Sequence, residues 1–243
     1  MKTLFYLFFL VMTIPFARGQ DEYEHDVIKT SSGDLTMYFI NHGTLMFTFN
    51  NLVIHVDPVS RAADYTAFPK ADIILVTHHH GDHLDQAAIN LLAKPETKLI
   101  LTQTCQEQIK SGDILRNGES ASVAGIRIEA VPAYNLIHTR DNGEPFHPKG
   151  IGNGYVINFG DKRVYIGGDT ENFPEMKELK DIDIAFLPMN IPYTMTPEMV
   201  TEAASMFHPK ILYPYHFGQT DTQKLKDLMK NQPETEVRIR DFY

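Results

Sequence analysis

The run Thr77-His78-His79-His80-Gly81-Asp82-His83 constrains this chain more than any other segment. Its His-x-His-x-Asp-His pattern directly follows Ala71–Val76, a short β-branched apolar run closed by a polar break, which reads as a buried strand. Two imidazoles two apart on extended chain point the same way, so His78 and His80 can share one metal ion. Gly81 permits a sharp turn that aims Asp82 and His83 at a second ion nearby. Imidazole and carboxylate without thiolate suit zinc, manganese or iron. The plain alternative is a His-rich surface turn or a tag fragment. The run sits between a strand and a helix rather than at a terminus, which argues against a tag. His79 alternates to the other side and reads as a bystander.

One cluster cannot fill two metal sites, so further ligands are expected at other strand ends. Arg163–Thr170 is a strand that closes on Gly167-Gly168-Asp169, where small residues let backbone and ions approach and Asp169 sits at the tip. Lys210–Gly218 is another apolar strand, delivering His216 at its end. Taken singly, Asp169 reads equally as a Gly-Asp turn and His216 as a residue capping a core strand. With the cluster they form a consistent set of loops at one end of several strands. Asp57 shares a strand face with Val53 and His55 before Pro58 ends the strand. It is expected to hydrogen-bond a ligand histidine and fix its tautomer, with a plain turn cap as the alternative.

These segments together resemble the metallo-β-lactamase superfamily, in the branch that includes ascorbate-phosphate lactonase-like and N-acyl-phosphatidylethanolamine phospholipase D-like hydrolases. The resemblance runs from about Leu35 to Phe217. It is carried by Asn41-His42-Gly43, Val56-Asp57-Pro58, the His78–His83 motif, Val131–Asn135, Phe146–Gly150, Gly167–Thr170, Ile182-Asp183 with Leu187-Pro188, and Pro214-Tyr215-His216. It implies an α/β fold of the four-layer αββα type, a binuclear centre of two divalent ions (zinc first, manganese or iron as alternatives) and hydrolytic chemistry. Carried over, His78 and His80 hold the first metal, Asp82, His83 and His216 the second, and Asp169 bridges both. Asp82 and Asp169 are expected to be the catalytic carboxylates. Many relatives have a histidine where this chain has Asn135. The third ligand of the first metal is therefore either Asn135 through its carbonyl oxygen or His147, with His138 also near. His42 resembles an active-site-facing histidine that supports a ligand or touches substrate, with a solvated turn residue as the alternative. Tyr193 and Met195 fall near the pocket in relatives, while His55 and His208 read as structural.

Met1-Lys2, the apolar core Leu4–Ile14 and the small-x-small step at Ala17-Arg18-Gly19 have the three parts of a secretory signal peptide. The apolar stretch is short for a membrane span. The expected organisation is a signal peptide over 1–19 and one hydrolase domain over 20–243, periplasmic or secreted, with no stable membrane span once the signal is removed. The one cysteine, Cys105, cannot make an internal disulfide and reads as a structural thiol. The formal net charge is −9 and no Lys/Arg cluster occurs, so a nucleic-acid partner is not expected.

The pattern predicts strands near 35–40, 44–49, 52–57, 72–77, 98–102, 126–131, 154–159, 162–167, 183–187 and 211–215. Helices are predicted near 85–93, 103–111, 196–207 and 221–230. Hairpin turns are expected at Asn50-Asn51 and Gly160-Asp161. The order fits two sheets packed face to face with helices outside. The Gly/Pro-rich stretch 132–153 is long enough to lie over the site. The expected function is hydrolysis of a small ester, lactone or phosphodiester by a hydroxide held on two metals, a β-lactam being disfavoured. The alternative is a non-catalytic periplasmic metal- or ligand-binding protein of the same fold, favoured by Asn135 alone.

Overall fold

The computed structural model describes Gly19 and residues 22–242. The predicted signal segment, apart from Gly19, lies outside the described residues. Among them no helix is long and apolar enough to cross a membrane.

The first half of the chain builds β1 (His25–Thr30), β2 (Gly33–Asn41), β3 (Thr44–Phe49), β4 (Leu52–Val56), β5 (Ile73–Leu75), β6 (Lys98–Leu101) and β7 (Asp113–Ile114), with α1 (Gln86–Leu92) and α2 (Gln103–Ile109) between the later strands. The second half repeats the plan with β8 (Ser120–Val123), β9 (Ile126–Ala133), β10 (Gly152–Phe159), β11 (Lys162–Ile166), β12 (Ile184–Pro188), β13 (Ile211–Tyr215) and β14 (Glu236–Val237), plus α3 (Pro197–Phe207) and α4 (Thr222–Met229). Each half forms one seven-stranded sheet, ordered β1 to β7 and β14 to β8. Within each sheet four antiparallel strands come first, and the remaining strands add in parallel. The tight hairpins between the antiparallel strands use left-handed residues: Asn50 and Asn51 both have positive φ, as does Gly160.

Period-two alternation sets the layers. Leu35, Met37 and Phe39 of β2 and Leu45, Phe47 and Phe49 of β3 face inward, as do Ile126, Ile128 and Ala130 of β9 and Tyr155, Ile157 and Phe159 of β10. They interdigitate with Phe186, Tyr213 and Tyr215 in one core between the sheets. The outer face of the first sheet, with Tyr38, Met46, Ile74 and Val76, is covered by Leu84, Ala88, Ile89, Leu92 and Cys105. The outer face of the second, with Val156, Tyr165, Ala185 and Leu187, is covered by Val200, Ala203, Phe207, Leu225 and Met229 of α3 and α4. The result is the four-layer αββα sandwich expected from the sequence. The helices start where their caps place them. Asp85, Thr102, Thr196 and Asp221 each accept backbone N–H bonds at the first turn, and Pro197 opens α3.

Four strands exceed the sequence prediction: β1, β7, β8 and β14. The remaining ten lie where predicted, although β9 and β10 pair two residues further, from Gly152↔Ala133. The connection over the site is thereby shortened to residues 134–151. The C-terminal residues Arg238 and Arg240 are tied to β1 through Asp26, whose carboxylate Arg240 Nη2 reaches at 2.8 Å. Burial opposes ionisation of Asp26, but hydrogen bonds from Tyr213 and Arg240 and both arginine charges hold its pKa below the usual carboxylate value.

Candidate metal centre

The parallel strands and the β2–β3 turn all end on one rim of the sandwich, and the chemistry-bearing residues collect there. β5 runs into the His78–His83 loop and β4 into Asp57. β11 leads to Asp169, β13 to His216, β9 to Asn135, and the turn after β2 supplies His42. His42, Asp57 and His216 all have positive φ, close to +48°. This conformation is uncommon for residues with a side chain, and it recurs here at three positions on one cluster. Gly43 keeps the rim open, since a Cβ there would stand 2.7 Å from His83 Cε1.

Two groups of donors converge. His78 Nε2 lies 3.1 Å from His80 Nδ1, and His147 Nε2 lies 3.2 Å from the same atom. On the other side His42, Asp82, His83 and His216 bring one potential ligand atom each within 4.8 Å of the others. Asp169 stands between the groups. Its Oδ2 is 3.8 Å from His78 Nε2, 3.3 Å from His147 Nε2 and 3.4 Å from His216 Nε2, and its Oδ1 is 3.3 Å from His83 Nε2.

The surrounding hydrogen bonds assign the protons. Asp57, fully buried, accepts from Thr77 N at 2.7 Å, from Thr77 Oγ1 at 2.6 Å and from His83 Nδ1 at 2.7 Å. In its neutral form His83 therefore turns an Nε2 lone pair to the cluster. Thr77 Oγ1, its own proton given to Asp57, is left to accept from His78 Nδ1 at 3.0 Å, which frees the His78 Nε2 lone pair. Asn135 Oδ1 accepts from His147 Nδ1 at 2.6 Å, freeing His147 Nε2. Carboxylate, hydroxyl and amide partners behind these three imidazoles hold one tautomer each, as a metal ligand requires.

Among the described residues His83 Nε2, Asp169 Oδ1 and both ring nitrogens of His216 are buried with no hydrogen-bond partner. Buried polar atoms are rarely left so, and a divalent cation is the group that satisfies converging lone pairs and carboxylate oxygens together. Burial lowers the pKa of His78 far below the ordinary value and that of His80 to about 4, which leaves both neutral. Burial also disfavours the charged form of His83, but Asp169 and Asp57 outweigh it and raise its pKa to about 9. Asp82 and Asp169 are held well below the usual range, against burial, by the histidines that face them. The residues present fit divalent-cation binding through nitrogen and oxygen ligands.

Of the residues singled out in the sequence, His78, His80, Asp82, His83, Asp169, His216, His147 and His42 come together. Asp57 lies directly behind His83. Asn135 is not brought to the ligand cluster. Its Oδ1 accepts from the backbone and ring of His147, and its Nδ2 donates to Glu171 Oε1 and to Tyr193 O. With both ends of the amide occupied, no acceptor remains for an ion. His138 is also drawn away, its Nδ1 meeting Glu171 Oε1. His55 is buried between Tyr65 and Phe68, and Cys105 is buried beneath the Thr102 hydroxyl.

Glu171 escaped the sequence reading. Completely buried, it receives the backbone N–H groups of Leu136, Ile137 and His138 as well as the Asn135 amide. Burial would raise its pKa, but these donors hold it below the ordinary glutamate value. It thus anchors the start of the 134–151 connection, and through Asn135 it steadies His147. Its only signal in the sequence is its place two residues after Asp169.

The Beta-lactamase superfamily domain profile matches residues 36–216. A UPF0173 metal-dependent hydrolase of Pelotomaculum thermopropionicum is 30% identical over 183 residues, covering 70% of this chain and 79% of that protein. The crystal structure of a candidate metal-dependent hydrolase from Parabacteroides distasonis superposes with a TM-score of 0.87 at 52% identity, covering 91% of this chain and all of the other. Igni18, a metallo hydrolase from Ignicoccus hospitalis, shares the fold with a TM-score of 0.69 at 22% identity, over 86% of this chain and 95% of its own. The chain belongs to the β-lactamase superfamily, among the metal-dependent hydrolases of the metallo-β-lactamase fold.

Proposed function

We propose that the protein hydrolyses a small ester, lactone or phosphodiester at a binuclear centre, with zinc as the favoured metal and manganese or iron as alternatives. The observation that carries this is the position of Asp169, whose two oxygens face histidines of both donor groups. His78, His80 and His147 are assigned to one ion, Asp82, His83 and His216 to the other, and Asp169 to both. Divalent ions bound there lower the pKa of water towards neutrality and polarise the scissile carbonyl or phosphoryl oxygen. Asp57, through His83 Nδ1, keeps that ring in the tautomer a ligand needs. Asp82, which lines the cleft, would orient the attacking water, and His42 Nε2, 3.4 Å from its Oδ2, steadies that carboxylate.

No protein nucleophile is required. Cys105 is buried, and burial pushes its thiol pKa up to about 11. The cleft beside the ligands has a volume of about 470 Å³, which suits a small molecule. Asn135, the one feature favouring a module without turnover, has His147 beside it at the cluster.

Metal removal tests the proposal. Protein purified without chelator is expected to hydrolyse at least one of a panel of aryl esters, lactones and aryl phosphodiesters, to lose that activity on dialysis against chelator, and to recover it with zinc. Turnover indifferent to chelation, or protein that stays metal-free after reconstitution, would sink it.

We also infer export, from the charged start, apolar core and small-x-small step over residues 1–19. Native material is expected to begin near Gln20. Terminal sequencing that finds Met1 on soluble cytoplasmic protein contradicts this.

A further inference from the structure

We propose that Arg140 is an anion anchor in the substrate cleft, and that the substrate is an ester or phosphoester carrying an anionic group, a carboxylate or a phosphoryl oxygen, on an apolar body. The inference rests on the hydrolase assignment above and names the substrate class for that same site.

Arg140 lines the cleft together with Asp82, His147 and Asp169. Its guanidinium lies over the Phe146 ring, 5.2 Å from the centroid, and Nη2 donates to Phe146 O at 3.3 Å. Among the described residues no carboxylate stands within ion-pair distance of it. Arg61, the other cation beside the cleft, differs in facing Asp82 with Nη2 3.6 Å from Oδ2. The remaining neighbour of Arg140 is His80 Nε2 at 3.5 Å. When His80 turns an Nδ1 lone pair to the cluster, its Nε2 carries the ring proton and cannot accept from Arg140. Most of the guanidinium's five donors are then free, and the ring and carbonyl of Phe146 hold the planar fork in place. Such a fork matches a carboxylate or phosphoryl group in two-point contact.

The apolar part of the substrate follows from a second feature. Six large apolar side chains are exposed among the described residues, and four of them, Leu136, Ile137, Ile191 and Tyr193, lie on two loops beside the cleft. The loops are joined by the edge contact of Phe146 with Tyr193 at 5.1 Å and by the Asn135 amide bond to Tyr193 O. Exposed apolar groups gathered at a cleft mark a ligand surface rather than ordinary scatter.

The test compares wild type, Arg140→Gln and Arg140→Lys as metal-loaded proteins of equal measured metal content. Each is assayed on paired hexyl-chain aryl esters that carry either a terminal carboxylate or its neutral amide. The ratio of kcat/KM for the charged over the neutral partner is expected to fall about tenfold in Arg140→Gln, mainly through KM, as for loss of a charge-assisted hydrogen bond. Arg140→Lys is expected to restore part of it.

Binding of hexanoate, hexyl phosphate and hexan-1-ol by calorimetry gives a readout independent of turnover. The two anions distinguish a carboxylate from a phosphoryl site, and the alcohol reports the apolar wall. Both anions are expected to weaken in Arg140→Gln by more than the alcohol does. No wild-type turnover together with Arg140-dependent anion binding would refute the hydrolase assignment and keep the anchor. An unchanged charged-to-neutral ratio and unchanged anion binding in Arg140→Gln would overturn the anchor itself.

Discussion

If the centre is binuclear as proposed above, Asp169→Ala is expected to abolish binding of both ions and all measurable turnover, the largest effect of any single substitution. Among the described carboxylates Asp169 is the one whose oxygens approach histidines of both donor groups, so its loss would remove a ligand and a negative charge from each at once. Disturbing even a residue behind a ligand lowers metal affinity about 10- to 100-fold, and removing a shared ligand should exceed that at both sites. His78→Ala and His83→Ala supply the contrast, since each belongs mainly to one side and should leave the other ion bound. Elemental analysis of the three variants after identical reconstitution decides the point, with circular dichroism to confirm the fold. An Asp169→Ala protein that retains both ions, or a His78→Ala protein that loses both, would remove the binuclear assignment.

The histidines also show why the apoprotein is an uneasy arrangement. His83 is raised to a pKa of about 9 by Asp169 and Asp57 against its own burial, while burial keeps His78 and His80 neutral. One proton on His83 is thus set against the buried Asp57 and Asp169 and the half-buried Asp82, and buried charge without full pairing is costly. A cation bound among these groups would offset the carboxylate charge, and His83 Nε2 would have to give up its proton to ligate it.

What was legible in the sequence follows from burial. The ten predicted strands carry the alternating or continuous apolar signal of the sheet interior, as in Met37–Phe39 and Ile184–Leu187. The four strands that were missed, β1, β7, β8 and β14, are the four edges of the two sheets. Edge strands need be neither long nor apolar. Asp113–Ile114 and Glu236–Val237 span two residues each, and Ser120–Val123 and His25–Thr30 alternate exposed and half-buried positions. The same logic applies to the site. The His78–His83 run is local and dense, so its chemistry stands out, and Asp169 and His216 stand at the ends of readable strands. Glu171 and Arg140 depend on the path of an irregular connection that no periodicity encodes. Their roles emerge only when Leu136–His138 wrap the Glu171 carboxylate and Phe146 seats the guanidinium.

The substitution that separates the two possible third ligands is expected to rank His147→Ala well below Asn135→Ala in affinity for the first metal. His147 Nε2 lies 3.2 Å from His80 Nδ1 and 3.3 Å from Asp169 Oδ2, at the meeting point of the group. Asn135 touches only the far side of that ring, where its Oδ1 fixes the tautomer. Removing the imidazole deletes a ligand. Removing the amide leaves the ligand free to rotate, a loss of about tenfold, at the lower end of what supporting contacts contribute. Glu171→Gln should act more weakly than Asn135→Ala and in the same direction, because it loosens the Leu136–His138 backbone one step further from the metal. Asn135→His, which would strengthen the centre if residue 135 were itself the ligand, is instead expected to weaken it by taking away the acceptor for His147 Nδ1. Zinc titration of these four variants against a chromophoric competitor gives the order directly. Equal losses in His147→Ala and Asn135→Ala, or tighter binding in Asn135→His, would move the third ligand away from His147.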